Sequence, residues 1–309
     1  MRYAVILNPA ADHGKAGRRQ AALEAALRRA GLAYALQRTD APGHAATLAE
    51  QAASGFDVVV AAGGDGTIHE VCRGLVAAGA AAPLGVIPFG TGNDFVKALG
   101  VPRRLEAAAR CLASAHPRAV DYGVARWDDG AGLRERVFVN AVGAGFDAAV
   151  AVRAAAYKYL PGAAGYLAAV PGALRRWRGP TVRITGQAGS GPPALLHNGP
   201  LLLVTAGNGV SSGGRFFLTP HASLMDGLLD VCIVEDTPPR RVLQVLPKAL
   251  RGTHAAAPEV RTARVRALTL AAPSGLPLHA DGEVLARRAY HVEVGVIAGG
   301  LTALVPART

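Results

Sequence analysis

The sequence predicts an α/β domain with a parallel sheet, followed by a mainly antiparallel β-rich domain. Three observations carry that prediction. Over the first 120 residues short apolar runs alternate with stretches of helical spacing, as strands joined by crossover helices require. From about residue 137 the pattern changes to short extended runs that follow one another. Between one early strand and its helix stands Gly63-Gly64-Asp65-Gly66-Thr67, a glycine junction typical of such a crossover.

The elements follow in order. A strand is expected over 3–7, a helix near 17–30, a strand over 34–37 and a helix over 44–53. The run 57–61 contains the β-branched Val58, Val59 and Val60 and reads as a buried strand. The helix from Thr67 to about 76 sets Ile68, Val71, Leu75 and Val76 on one side. A strand over 84–87 and helices within 93–112 complete this half. In the second half strands are expected over 137–139, 182–185, 201–205, 228–234, 265–270 and 290–294. Helices are expected over 148–177, interrupted at Pro161 and Pro171, and over 239–250. Residues 186–193 are a Gly/Pro-rich loop, and no internal repeat is present.

A chain of 309 residues, 50% hydrophobic, can bury the cores of two ordinary domains. Its 33 basic and 22 acidic residues leave a formal charge of +11, and only Lys15, Lys97, Lys158 and Lys248 are lysines. Such a surface suits an anionic membrane, a nucleotide or a nucleic acid. No module with interleaved aromatics speaks for nucleic acid, since aromatics make up 5% of the chain. Cys72, Cys111 and Cys232 are odd in number and widely spaced, which favours neither disulfides nor zinc and fits a reducing cytoplasm. The apolar start is too short for a signal peptide, and no segment approaches the roughly 18 apolar residues of a membrane span. Membrane contact is therefore expected to be peripheral.

The glycines of the first loop let main-chain N–H groups approach an anion, and the following helix N-terminus adds positive potential behind them. Asp65 would be repelled by phosphate without an intervening cation, which hints at magnesium. The alternative is a tight turn with Thr67 as a helix cap. A second loop, Pro88-Phe89-Gly90-Thr91-Gly92-Asn93-Asp94-Phe95, follows the fourth strand. Loops after parallel strands gather at one edge of the sheet, so the two should face each other and suit a triphosphate. On its own, Gly90-Thr91-Gly92-Asn93 also reads as a turn and cap.

Together these loops resemble the diacylglycerol kinase catalytic domain family, which includes bacterial lipid kinases and sphingosine kinases. Gly63-Gly64-Asp65-Gly66-Thr67 with Glu70 is similar to its first signature, which NAD kinases share, and the Pro88–Phe95 segment to its second. Asn8-Pro9, Asp121, Phe138-Val139-Asn140, Gly143-Ala144-Gly145-Phe146-Asp147, Asp226-Gly227 and Asp281-Gly282-Glu283 extend the likeness over nearly the whole chain. The resemblance implies ATP-dependent phosphoryl transfer to a lipid hydroxyl, with nucleotide held between an α/β domain and a β-sandwich domain. It also implies a C-terminal return to the first domain, giving 1–124 with 294–309 as the nucleotide-binding domain and 125–293 as the lipid-substrate domain.

Further roles follow from the same resemblance. Nucleotide contacts fall to Asn8, Lys15, Thr39, Gly63, Gly64, Asp65, Gly66, Thr67, Glu70, Gly90, Thr91, Gly92, Asn93 and Asp94. Lys15 also reads as a solvated loop lysine, and Thr39 as a turn residue. Asp281-Gly282 is by local rules a hairpin turn, whereas the family places its catalytic carboxylate here. Glu283 is then the expected proton acceptor, Asp281 positions the hydroxyl or contacts magnesium, and these roles are exchangeable. Asp121 joins Asp65 in the acidic network expected to organise magnesium. A structural magnesium site is implied at the Asp226 carboxylate and the carbonyls of Ser223 and Leu228, with a plain turn as the alternative. Arg175, Arg176, Trp177 and Arg178 suit either a membrane surface or a solvated helix end. His13, His69 and His279 lack metal-ligand spacing.

The expectation is thus a cytoplasmic, peripherally membrane-associated lipid kinase using ATP and Mg²⁺ on a lipid alcohol, without a nucleic-acid partner. The resemblance is compatible with a homodimer. NAD kinase is the enzymatic rival, disfavoured by Asn93-Asp94-Phe95 and Asp281-Gly282-Glu283; a noncatalytic nucleotide- or lipid-binding regulator is the other, disfavoured by the intact acidic set.

Overall fold

The computed structural model describes residues 1–157, 164–213 and 216–307. The chain divides into two compact units, Met1–Asp121 with Ala298–Thr309, and Tyr122–Ile297.

The first unit contains β1 (Arg2–Leu7), α1 (Lys15–Arg18), α2 (Gln20–Arg29), β2 (Ala33–Arg38), α3 (His44–Ala52), β3 (Val58–Gly63), α4 (Asp65–Ala77), β4 (Leu84–Pro88), α5 (Asp94–Leu99) and α6 (Leu105–Ser114). β1 pairs in parallel with β2 and β3, and β3 in parallel with β4. Every residue of β3 and β4 is buried, which is why these strands read as unbroken apolar runs. The ladder continues past the strand ends. The Asn8 N–H donates to the Ala62 carbonyl (3.1 Å), the Thr39 N–H to Leu7 (2.9 Å) and the Phe89 N–H to Gly63 (2.8 Å). These bonds fix the first loop residues after β1, β2 and β4 at one edge of the sheet.

In the second unit, β5 (His116–Asp128), which begins in the first, pairs antiparallel with β6 (Leu133–Phe138). There follow β7 (Ala141–Gly145), α7 (Phe146–Ala154), α8 (Ala164–Leu174), β8 (Thr181–Gln187), β9 (Ala194–Gly207), β10 (Leu229–Glu235), α9 (Pro239–Ala249), β11 (Val260–Val265), β12 (Ala267–Ala280) and β13 (Glu283–Val305). β9 pairs antiparallel with β7, β8 and β10, and β12 with β7, β8 and β13. One core gathers Trp127, Phe138, Ile184, Leu201, Leu276 and Val292. A second, under the helices, gathers Phe146, Val150, Val170, Leu202, Cys232 and Val242.

Several expectations shift. The strand expected over 265–270 is two, divided at Arg266, whose N–H leaves the run to bond the Gln187 carbonyl at 2.7 Å. β6 stops at Phe138 because the Val139 N–H turns to a side-chain carboxylate. Pro171 does not interrupt the helix but lies inside α8, where burial of Ala169, Val170 and Ala173 outweighs the missing N–H. The break expected at Pro161 lies outside the described residues. Lys15 opens α1 rather than lying in a loop, and it is paired with Asp12 at 3.3 Å.

Candidate active site

In the first unit the strand-end loops enclose a cavity of about 680 Å³. Asn8, Thr39, Glu70, the loop Gly64, Asp65, Gly66 and Thr67, and Gly90, Thr91 and Gly92 line it. The two glycine loops touch. A Cβ built on Gly90 would lie 2.6 Å from the Gly64 Cα, so only glycine at position 90 permits the approach. Thr67 is not a cap, because α4 already begins at Asp65 with Gly64 as its N-cap. Its hydroxyl instead accepts the Asn8 Nδ2–H at 3.0 Å, joining the loop after β1 to the one after β3. The Asn93 side chain reaches back, Nδ2 donating to the Gly90 carbonyl at 2.7 Å, while its backbone adopts φ 52°.

Two carboxylates of this loop cluster serve as caps for distant helices. The Asp65 Oδ1 accepts the Asp94 N–H at 2.6 Å, at the start of α5. Burial, and after it the charge of Asp94, pushes the Asp65 carboxyl above its ordinary pKa. Glu70 accepts the N–H groups of Gly43 (2.8 Å) and Ala45 (3.1 Å) at the start of α3. Asp94 itself holds Lys97 at 2.9 Å. Lys15 is not among the residues lining the cavity; Asp12 and His13 are, with φ of 50° and 55° in a loop whose conformation no sequence signal announced. Asp121 is buried and lies away from this lining, its Oδ1 accepting the Gly299 N–H at 2.7 Å.

In the second unit Asp281 and Gly282 form the two-residue connection between β12 and β13, with φ of 47° and 84° as a hairpin turn of the primed type demands. The Asp281 carboxylate accepts three N–H groups, from Val139 (2.8 Å), Asn140 (2.9 Å) and Ala141 (2.9 Å). That oxygen pair organises the bend between β6 and β7. Glu283 is half-exposed and faces Arg136 at 3.2 Å. Two residues before the turn, on β12, His279 Nε2 lies 3.0 Å from Asp147 Oδ2. Burial alone would push the His279 imidazole down; the charges of Asp147 and Asp281 override it and raise its pKa. This buried pair was missed, because its members stand 132 residues apart.

Residues 2–125 match the diacylglycerol kinase catalytic domain, and residues 140–303 match the YegS C-terminal NAD kinase beta sandwich-like domain. A Pseudomonas aeruginosa protein named "Probable lipid kinase YegS-like" is 33% identical over 299 residues, 96% of this chain and 93% of the relative. The chain belongs to the diacylglycerol kinase and YegS-like lipid kinase family. A Mycobacterium tuberculosis diacylglycerol kinase is 30% identical over 280 residues, 90% of this chain and 87% of that one. A crystal structure of a diacylglycerol kinase from Bacillus anthracis str. Sterne shares the fold, with a TM-score of 0.71, 22% identity, and coverage of 98% and 96%. As a member of this lipid kinase family the chain is a phosphotransferase acting on an alcohol acceptor.

The magnesium sites expected from the lipid kinase resemblance fit unequally. Magnesium bound beside a nucleotide commonly needs only one or two protein carboxylates, the phosphates and water completing its shell. Asp65, which lines the cavity and is partly desolvated, fits that need, whereas Asp94 lies outside the lining and already holds Lys97. At Asp226 the fit fails. The Arg264 guanidinium already sits on its Oδ2, and its Oδ1 accepts the Leu228 N–H at 3.0 Å, the hydrogen bond of an ordinary Asx turn. The Ser223 Oγ accepts the Met225 N–H at 3.3 Å. A divalent ion there would have to displace the arginine.

Proposed function

We propose that this lipid kinase uses ATP with Mg²⁺ to phosphorylate the hydroxyl of diacylglycerol or a related lipid alcohol. The observation that carries the nucleotide half is the contact of the two glycine loops over one cavity at the start of α4. Its volume of about 680 Å³ lies within the range of small-ligand sites. The main-chain N–H groups of Gly64, Gly66 and Gly90 suit phosphate oxygens, and Asn8 and Thr39 suit the remainder of the nucleotide. Gly63, Asn93 and Asp94 hold the loops in shape from behind. Lys15, tied to Asp12, contributes long-range positive potential. Asp65 would hold magnesium, which when bound neutralises charge on the transferring phosphate.

For the acceptor, Glu283 takes the lipid hydroxyl proton as its oxygen attacks phosphorus. Asp281, committed to three N–H donors, positions that hairpin instead of taking the proton. Asp121 contributes through its hold on Gly299. The first unit is thus the nucleotide domain and the second the lipid domain. The chain works at the membrane surface from the cytoplasm; among the described residues no helix is long and apolar enough to cross it.

The deciding experiment is transfer of labelled γ-phosphate from ATP with magnesium to a panel of lipids in mixed micelles, with NAD as a parallel acceptor. Labelled lipid that disappears with Glu283→Gln is the expected result. Label on NAD alone would establish the rival that the β-sandwich likeness keeps in view.

A further inference from the structure

The second unit holds a cavity of about 250 Å³ that the catalytic reading does not use. Its wall combines apolar Val152, Trp177 and Pro277 with three arginines, Arg153, Arg176 and Arg287. Arg176 and Arg287 are exposed and Arg153 is half-buried, and among the described residues none of the three has an ion-pair partner. Helix-end carbonyls do not explain them. Arg178 caps that end, donating to the carbonyls of Arg175 (3.4 Å) and Trp177 (2.9 Å).

Two donors in the wall are buried without an acceptor among the described residues, Arg153 Nε and Trp177 Nε1. Buried N–H groups are ordinarily satisfied, so their convergence on one cavity calls for an acceptor from outside the chain. The geometry is held in place. Trp177 packs edge-on against Phe146, ring centroids 5.9 Å apart. The Arg153 guanidinium passes over Gly172 of α8, where a built Cβ would lie 2.7 Å from Nη2.

The geometry points to a binding site for the phosphate headgroup of a phosphorylated lipid. Three guanidiniums and an indole N–H match the charge and many acceptor oxygens of a phosphate monoester. The apolar wall takes the first carbons of an attached chain, which inorganic phosphate lacks. Leu167, on α8, is 39% exposed and extends apolar surface on the same helix. The site shares no residue with the Asp281 and Glu283 cluster.

The chain has two tryptophans, and Trp127 lies in the β core with its own indole N–H buried and without an acceptor. In full-length Trp127→Phe protein, Trp177 becomes the sole reporter. Titration with dihexanoyl phosphatidate below its micellar concentration is expected to change Trp177 emission saturably. Inorganic phosphate should need at least tenfold higher concentration, and neutral dihexanoylglycerol should give no saturable change. Adding Arg176→Ala with Arg287→Ala should weaken phosphatidate binding at least tenfold, with circular dichroism verifying the fold. Should that variant not fold, Gly172→Ala, which displaces Arg153 alone, is expected to weaken binding severalfold. Equal binding of the neutral lipid, equal binding of inorganic phosphate, no saturable response to phosphatidate, or indifference to the substitutions would each overturn the assignment.

Discussion

Replacing Gly90 with alanine tests whether contact between the two glycine loops sets the geometry of the nucleotide cavity. The added Cβ would fall 2.6 Å from the Gly64 Cα and 2.9 Å from the Asn93 Oδ1. Nonbonded carbons rest at roughly 3.5–4.0 Å, so the loops must part by about 1 Å. The obstructing atom is backbone, and no rotamer change relieves it. A displacement of about 1 Å in a positioning element lowers the rate roughly 10²-fold, equivalent to about 2.7 kcal/mol of activation free energy. Overpacking this closed contact should also remove about 1–3 kcal/mol of stability. The assay is γ-phosphate transfer to diacylglycerol in mixed micelles at limiting and saturating ATP, with thermal melting of the same samples. Gly55→Ala serves as control, since nothing lies within 4 Å of its built Cβ. A Gly90→Ala enzyme within threefold of the parent in kcat/KM for ATP would refute the reasoning.

Four other outcomes are expected. Glu70→Ala removes the acceptor for the first N–H groups of α3 and should lower stability by about 1–2 kcal/mol, the usual range for a lost cap, in denaturant titrations. Asp65→Asn should abolish turnover yet raise the melting temperature of nucleotide-free protein at pH 7. The folded-state pKa of Asp65 is raised, first by burial and then by Asp94, so its ionised form destabilises the fold as pH climbs above the unfolded carboxyl value. The difference between variant and parent should vanish below about pH 3.9. Asp281→Asn should lose about 1.5–3 kcal/mol of stability through its weakened N–H acceptors. Glu283→Gln, which breaks only the half-exposed pair with Arg136, should melt within about 1 kcal/mol of the parent while losing about 10²–10⁴ in kcat. A reversed ranking of these two in melting and turnover would exchange their roles.

Local rules reached far into the fold because its first unit is built from local signals. Val58 to Val60 could only be buried, and the glycines at 63–66 and 90–92 marked both strand ends where the loops meet. The turn at Asp281-Gly282 was legible from the dipeptide alone. What the dipeptide could not disclose is the use of the Asp281 carboxylate, whose partner Val139 lies 142 residues earlier. Glu70 and Asp65 show the same limit. Each looks like a ligand residue within its motif, yet each is bound to the start of a helix elsewhere in the sequence. Arg264 on Asp226 is a fourth such meeting, made by residues 38 apart. The division at Arg266 escaped notice because the flanks on both sides are equally strand-forming.

The return of the chain to its first unit governs the order in which that unit can be completed during synthesis. Ala303 pairs in parallel with Leu84, and Leu301, Ala303 and Leu304 are buried. Until these residues leave the ribosome, β4 presents an apolar strand with an open hydrogen-bonding edge, the kind of surface on which nascent chains associate. A nascent protein stopped at residue 297 would therefore have made all of its second unit and still lack the strand that closes its first.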